Sequence, residues 1–261
     1  MRIAVAGGTG VVGRWVVRRL EQGGHQTVVL SRRHGVDLTT ATGLDGALAG
    51  CSAIIDVSNV ATNRRRAAEE FFGTVTGHLL RAGERAGVGH LVALSIVGID
   101  RVGFGYYAGK RRQEAVLAAG PLPWTVLRAT QFHEFAGQFL DRVRGPVVPV
   151  PRLLSQPVAA AEVAGRLVEL VVGPAQAMAP PIAGPDVLQL PDMVRRVLRV
   201  RGSRRRVVPV PLPGAAGRAA RAGALLPDGP CQLGAQTFAE FVRAGAVTPE
   251  GAAEPRPAPG S

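Results

Sequence analysis

Apolar positions along the chain change period repeatedly, and the changes outline alternating strands and helices. Residues 3–6 form a short continuous apolar run closed by glycine, the pattern of a buried strand. From residue 11 onward Val12, Trp15, Val16 and Leu20 recur at intervals of three and four, the pattern of an amphipathic helix. Apolar strand patterns follow at 26–30, 36–38, 53–57, 90–97 and 122–127. Between them lie a short helix at 44–48 and a long one at 67–86, in which Phe71, Val75, Leu79 and Leu80 share a face and Gly87 and Gly89 end the run. Strands alternating with helices predict an α/β fold: a doubly wound parallel sheet with helices on both faces.

Beyond the fifth strand pattern the rhythm weakens. Residues 146–151 read as an extended, proline-rich segment, 159–172 as a helix with a cap expected at Gln156-Pro157, 192–200 as a helix and 206–210 as a strand. Prolines at 174, 180, 181, 185 and 191 break the rest into short pieces. We therefore expect a sheet domain over residues 1–150, a small C-terminal lobe over 151–246 and a disordered tail over 247–261, where Pro, Gly, Ala and Glu dominate.

Composition narrows the function classes. The chain has 261 residues, 46% of them hydrophobic, enough for one large domain or one with a smaller lobe. No apolar run reaches the length of a membrane span, and the glycines at 7, 8, 10 and 13 break any signal-peptide core. Cys51 and Cys231 form neither a disulfide framework nor a metal-ligand spacing, so a reduced, cytoplasmic protein without a metal centre is expected. The formal charge of +12 suggests an anionic partner, but Lys110 is the only lysine among 31 basic residues. Arginine in that excess, beside abundant Ala, Gly, Val and Pro, reads as a compositional bias. The runs at 64–66 and 204–206 are short enough to be solvated faces, which argues against nucleic acid. A small-molecule partner is expected, and a homodimer is allowed.

The strongest local signal opens the chain. Gly7, Gly10 and Gly13 stand at three-residue spacing between the first strand and the first helix. In that context a glycine pattern means dinucleotide binding. Gly7 permits the tight turn, Gly10 lets backbone N–H groups approach a pyrophosphate, and Gly13 lets helix and strand pack closely. Thr9, Val11 and Val12 complete the turn, and the phosphates would sit at the positive end of the helix dipole.

Other cofactor-facing positions follow from strand ends, since ligands meet the carboxyl ends of parallel strands. The second strand ends in Ser31-Arg32-Arg33. An acid there would bind the 2′-hydroxyl of NAD. Two arginines are suited to a 2′-phosphate, which points to NADP, with two surface arginines as the alternative. Asp37 and Leu38 end the expected third strand, where Asp37 either accepts from the adenine amine or is a solvated turn residue. Ser58 and Asn59 end the next and either touch ribose or phosphate or form a polar turn. Gln131, after the fifth strand, is placed on the nicotinamide side, and His133 and Glu134 either line a substrate pocket or start a helix. His78 reads as an ordinary helix residue.

The second informative stretch is Tyr106-Tyr107-Ala108-Gly109-Lys110, which holds both tyrosines and the sole lysine of the chain. At the start of a helix Tyr106 and Lys110 share a face. An ammonium beside a phenol lowers its pKa, and a tuned phenol exchanges a proton with a carbonyl or alcohol near neutral pH. Ser95, near the end of the fourth strand, is placed to bond the same oxygen, and Lys110 to reach the ribose hydroxyls.

GGTGVVG at 7–13, DVSN at 56–59, LSIVGID at 94–100, YYAGK at 106–110 and LRATQFHEF at 127–135 together resemble the short-chain dehydrogenase/reductase superfamily, in its atypical, NmrA-like NAD(P)H-binding branch. The resemblance spans roughly residues 1–245. It implies a Rossmann domain with a C-terminal substrate lobe, and catalytic roles for Ser95, Tyr106 and Lys110. The expected function is NADPH-dependent reduction of a carbonyl, quinone or activated double bond of a small metabolite. The alternatives are an NADP(H)-sensing regulatory protein without turnover, or an epimerase or isomerase that uses the bound nucleotide.

Overall fold

The computed structural model describes residues 1–245, so the tail expected over 247–261 lies outside the described residues. The chain runs β1 (Arg2–Ala6), α1 (Val11–Gln22), β2 (Gln26–Leu30), α2 (Leu44–Leu48), β3 (Ala53–Asp56), α3 (Arg65–Arg85), β4 (His90–Ile96), α4 (Gly105–Ala118), β5 (Trp124–Ala129), α5 (Phe135–Arg142), β6 (Val147–Pro151) and β7 (Leu154–Ser155). It continues with α6 (Ala160–Val172), β8 (Ala177–Met178), β9 (Ile182–Ala183), β10 (Leu188–Gln189), α7 (Leu190–Val200), β11 (Arg206–Val210), α8 (Gly214–Arg221), β12 (Gln232–Leu233) and α9 (Phe238–Arg243). The main sheet has the order β12-β9-β5-β4-β3-β1-β2, with β8 against β5, and its pairings are parallel.

Strand alternation sorts the core into two layers. Ile3, Val5, Ile55, Val92, Leu94 and Leu127 face α1 and α6, where Val12, Val16, Leu20, Val163 and Leu167 meet them. Ala4, Ala6, Ile54, Leu91, Ala93 and Val126 face the other side, against Leu79 and Leu80 of α3 and Leu117 of α4. A strand buried on both faces reads as a continuous apolar run, which is why the sequence marks these strands so clearly.

The expected third strand at 36–38 does not form. Asp37 Oδ1 accepts from the backbone N–H of Thr39 at 2.8 Å and from its hydroxyl at 2.6 Å. Asp37 also bridges back to Thr42. A side chain that captures a backbone donor two residues on closes a turn in place of an extended strand. This corrects Asp37 and Leu38 as well. The Asp37 carboxylate serves the turn, which holds its pKa below the usual range, and the Leu38 carbonyl faces His78 Nδ1 at 2.8 Å. A carbonyl only accepts, so that nitrogen carries the proton. The fifth strand starts at Trp124 and not at residue 122, because Pro123 has no N–H to donate and Leu122 is buried ahead of it. No cap forms at Gln156-Pro157: α6 starts after Ala159 without a side-chain cap, and Gln156 Nε2 donates to the Gly184 carbonyl.

The single boundary at residue 150 also needs correction. The C-terminal half returns to the main sheet as α6 on its face and as β8, β9 and β12 at its edge. The lobe has its own core of Leu140, Val148, Val150, Leu190, Val194, Val197, Phe238 and Phe241, and residue Val102 from the β4–α4 loop enters it. Glu162 of α6 ties the two together by accepting from the backbone N–H groups of Ala235 at 2.6 Å and Gln236 at 3.1 Å. Sheet and lobe interleave.

Candidate NAD(P)H site

Chain order reverses direction at β1, which is flanked by β2 on one side and β3 on the other. The crevice at the carboxyl ends of β1 and β3 is the topological switch point where nucleotides bind in open α/β sheets. Gly7 has φ +80°, and a Cβ on it would stand 2.7 Å from the Val57 carbonyl oxygen. A Cβ on Gly13 would stand 2.7 Å from Gly8 Cα and collide with the Gly7 carbonyl. The turn, the end of β3 and the start of α1 thus touch backbone to backbone. Thr9 and Gly10 are exposed at the mouth, Val11 is half-buried, and Val12 and Gly13 lie inside.

Several polar atoms at these strand ends lack partners. Ser58 Oγ after β3, Ser95 Oγ at the end of β4 and Glu134 Oε2 after β5 are buried without a hydrogen bond. Buried polar groups are nearly always paired. Orphans gathered at one edge of the sheet, beside a glycine cradle that side chains would fill, fit a ligand with hydroxyl and phosphate groups. Arg32 and Arg33 form an exposed turn directly after β2, with Ser31 Oγ bonded to His34 Nδ1 at 2.7 Å.

Tyr106 stands in the first turn of α4, and its hydroxyl donates to Asn59 Oδ1 at 2.6 Å. That bond links the tyrosine-bearing helix to the end of β3. Phe72 and Tyr107 pack edge-on around its ring, with centroids at 5.6 and 6.2 Å. The expected lowering of the Tyr106 pKa is corrected. Burial raises it, and Tyr107 and Asp56 add to the rise. Lys110 does not counter this because its ammonium points away. Nζ donates to the Leu94 carbonyl at 2.6 Å and to Gln113 Oε1, and stands 4.5 Å from the Phe72 ring centroid. Lys110 is only 4% exposed, and burial brings its pKa down to about 8 against the opposing pull of Asp56 and Glu114. The structure therefore brings Tyr106 and Asn59 together, but turns Lys110 away from the ribose position expected of it. Ser95 is 2% exposed and makes no bond to Tyr106.

The residues after β5 divide. Gln131 Oε1 accepts from Ser155 Oγ at 3.0 Å, and its amide lies beside the Tyr107 hydroxyl. His133 is corrected as a substrate residue. It is 0% exposed, packed against the stacked rings of Phe238 and Phe241 at 5.6 and 5.1 Å, with Nε2 on the Gln236 carbonyl at 3.0 Å. It anchors the lobe. Glu134 precedes α5, and burial raises its pKa to about 7 while Arg14 of α1 pulls the other way. A carboxyl raised in the folded state stabilises below its unfolded pKa and loses that contribution as pH rises through the folded value. The protein without ligand should lose about 3 kcal/mol between pH 4.5 and 7 from this group. Urea melts of Glu134→Gln should lack that loss; an identical pH slope in the variant would contradict the assignment.

Sequence reasoning missed the side chains that hold α4 in place. Arg128 of β5 grips Glu114 through Nε–Oε1 at 2.9 Å and Nη2–Oε2 at 2.6 Å, and reaches Asp100 at 2.7 Å. Gln113 and Asp56 were also missed as a pair, although a carboxylate interrupting an apolar strand was a visible signal.

The family model described as NAD(P)H-binding matches residues 34–172, so the glycine turn is an independent indication outside the matched segment. No curated protein matches the sequence. Among solved structures the chain is similar to the UDP-N-acetylglucosamine 4-epimerase from Bacillus cereus, with TM-score 0.69 and 16% identity over 94% of this chain and 96% of that one. It is also similar to TunA, a NAD-dependent NDP-hexosamine 5,6-dehydratase involved in tunicamycin biosynthesis, with TM-score 0.69 and 15% identity over 93% and 95%. A third is dTDP-4-dehydrorhamnose reductase from Yersinia enterocolitica, with TM-score 0.62 and 14% identity over 80% and 83%. At such identities the likeness is one of fold, and these three carry three different reactions. Among the described residues no helix is long and apolar enough to cross a membrane. Sheet order, glycine cradle and family match agree: the chain belongs to the NAD(P)H-binding family.

Proposed function

We propose that the protein is an NADPH-dependent oxidoreductase acting on a carbonyl, quinone or activated double bond of a small metabolite. The observation that carries this reading is the Tyr106 hydroxyl, held at the switch-point crevice by Asn59 at 2.6 Å. NADPH when bound supplies a hydride. The chain's part is to accept the nucleotide on the glycine turn, orient the substrate and deliver one proton. With its pKa raised, Tyr106 stays a neutral phenol, the state a proton donor needs in the reductive direction. Asn59 Oδ1 also accepts from the Val60 N–H at 2.8 Å, so it keeps a partner when the phenol turns to a substrate oxygen. Lys110 acts from beneath, as a buried cation behind the helix that carries Tyr106. Purified protein should consume NADPH with some member of a panel of quinones, aldehydes and ketones, one equivalent per product.

A second reading has its own observation. Lys110 points inward and Ser95 makes no bond to Tyr106, so the three expected catalytic side chains are not assembled around one oxygen. That arrangement favours an NADP(H)-binding regulator without turnover. Tight NADPH binding with no consumption across the panel would select it.

The cofactor preference rests on Arg32 and Arg33 at the end of β2. A charge-assisted contact contributes roughly 1.5–3 kcal/mol. Replacing both by Ala should therefore weaken NADPH about ten- to a hundredfold in a fluorescence titration and leave NADH nearly unchanged. Equal losses for both nucleotides would show that the pair does not read the 2′-phosphate.

A further inference from the structure

Beneath the crevice runs a buried polar chain. The Lys110 ammonium donates to Gln113 Oε1, Gln113 Nε2 donates to Asp56 Oδ2 at 2.8 Å, and Asp56 Oδ1 accepts from the Ser58 N–H at 2.9 Å. Gln113 is 1% exposed and Asp56 0%. The next residue, Asn59, holds the Tyr106 hydroxyl, and Tyr106 lies one helical turn before Lys110. The chain therefore closes into a ring joining the end of β3 to the start of α4. Gln113 is the neutral link between its two charged groups. An amide offers an oxygen to an ammonium on one side and an N–H to a carboxylate on the other, and no other side chain of its length does both. The same geometry explains why the sole lysine is not an arginine. Two carbonyl oxygens and the Phe72 face receive a compact three-donor ammonium, whereas a planar five-donor guanidinium would leave donors unpaired in the interior.

We infer that Gln113 is a positioning residue: it relays Asp56 to Lys110, fixes the ammonium beneath the crevice, and so sets the spacing between the Asp56–Asn59 segment and Tyr106. The inference rests on the reading of that crevice as the nucleotide site. Gly7 connects the two, since it abuts Val57 and Ser58 of the same segment.

Charge transposition tests it. Gln113→Glu alone sets two buried carboxylates against each other. Asp56→Asn alone sets donor against donor and removes the stronger-acting of the two carboxylates that act on Lys110, leaving Glu114. The double variant Asp56→Asn/Gln113→Glu keeps one ammonium, one carboxylate and one amide: the new carboxylate accepts from Lys110, and the new amide donates to it while still accepting from Ser58. Lys110 is the only lysine, so isotopically labelled lysine gives a single side-chain resonance that reports its setting. Each single variant should shift that resonance, weaken NADPH binding at least about tenfold and lower Tm by roughly 10 °C. The double variant should return all three close to wild type. Should a single variant fail to fold, recovery of folded protein in the double variant is the predicted coupling. Losses that merely add in the double variant, or single variants indistinguishable from wild type, would overturn the relay. Resonance and Tm need neither cofactor nor substrate, so they read the relay even if no reductase activity exists.

Discussion

Tyr106→Phe should lower NADPH-dependent turnover by about 10²–10⁴-fold, the usual contribution of a positioned acid, while NADPH affinity stays within about threefold. The expected split follows from what the hydroxyl touches. Its one bond goes to Asn59 Oδ1, and that acceptor keeps the Val60 N–H at 2.8 Å, so deletion leaves no buried group unpaired. The ring contacts with Phe72 and Tyr107 survive in phenylalanine, so the fold should be little affected. Only the proton is lost. Steady-state kinetics on the best substrate, together with an NADPH titration, check both halves. Equal kcat in the variant would remove Tyr106 from the chemistry. A matching loss of NADPH affinity would make it a structural residue of the crevice.

Gly13→Ala should abolish measurable NADPH binding, a loss of at least about 100-fold, and lower Tm as well. The added Cβ would meet the Gly7 carbonyl and, at 2.7 Å, Gly8 Cα. Both neighbours are backbone, so no side chain can swing aside. Helix α1 would have to withdraw from β1, carrying with it the N–H groups that face the phosphates. Gly10→Ala is the internal control. Its Cβ meets only the Gly7 oxygen, at 3.2 Å, so this variant should fold nearly normally yet bind NADPH less well, because the methyl lies on the phosphate path. Melting curves and nucleotide titrations on both variants separate the roles. Normal binding by Gly13→Ala would place the nucleotide elsewhere.

The sheet was legible because its strands are buried on both faces. Continuous apolar runs at β1, β3 and β4 and glycine at the first turn left little choice of period or topology. Legibility failed where a short polar side chain decided the backbone, as Asp37 does in turning residues 37–39 out of the sheet. It failed also where the partner was far along the chain. His133 reads as a polar residue beside a strand end, but its surroundings come from Gln236, Phe238 and Phe241, a hundred residues later. The same distance hides the lobe boundary, because β9 and β12 are two-residue strands that only the sheet edge stabilises. In the candidate site, Tyr106 and Lys110 were correctly placed one helical turn apart on α4. Periodicity fixes which residues share a helix, but not which way a long side chain turns. The acceptors that draw Lys110 inward are a β4 carbonyl and a glutamine that mattered only once Asp56 lay behind it.

The most direct test of the reductase reading follows a label. The purified protein is given NADPH carrying deuterium at the transferred position of C4, with the best substrate of the carbonyl and quinone panel, and both products are weighed. The reading predicts one NADP⁺ per reduced product, with the deuterium at a carbon of that product when the substrate is a carbonyl or activated double bond. An unreduced product of unchanged mass with NADPH undiminished would contradict it and leave a protein that binds the nucleotide without net reduction.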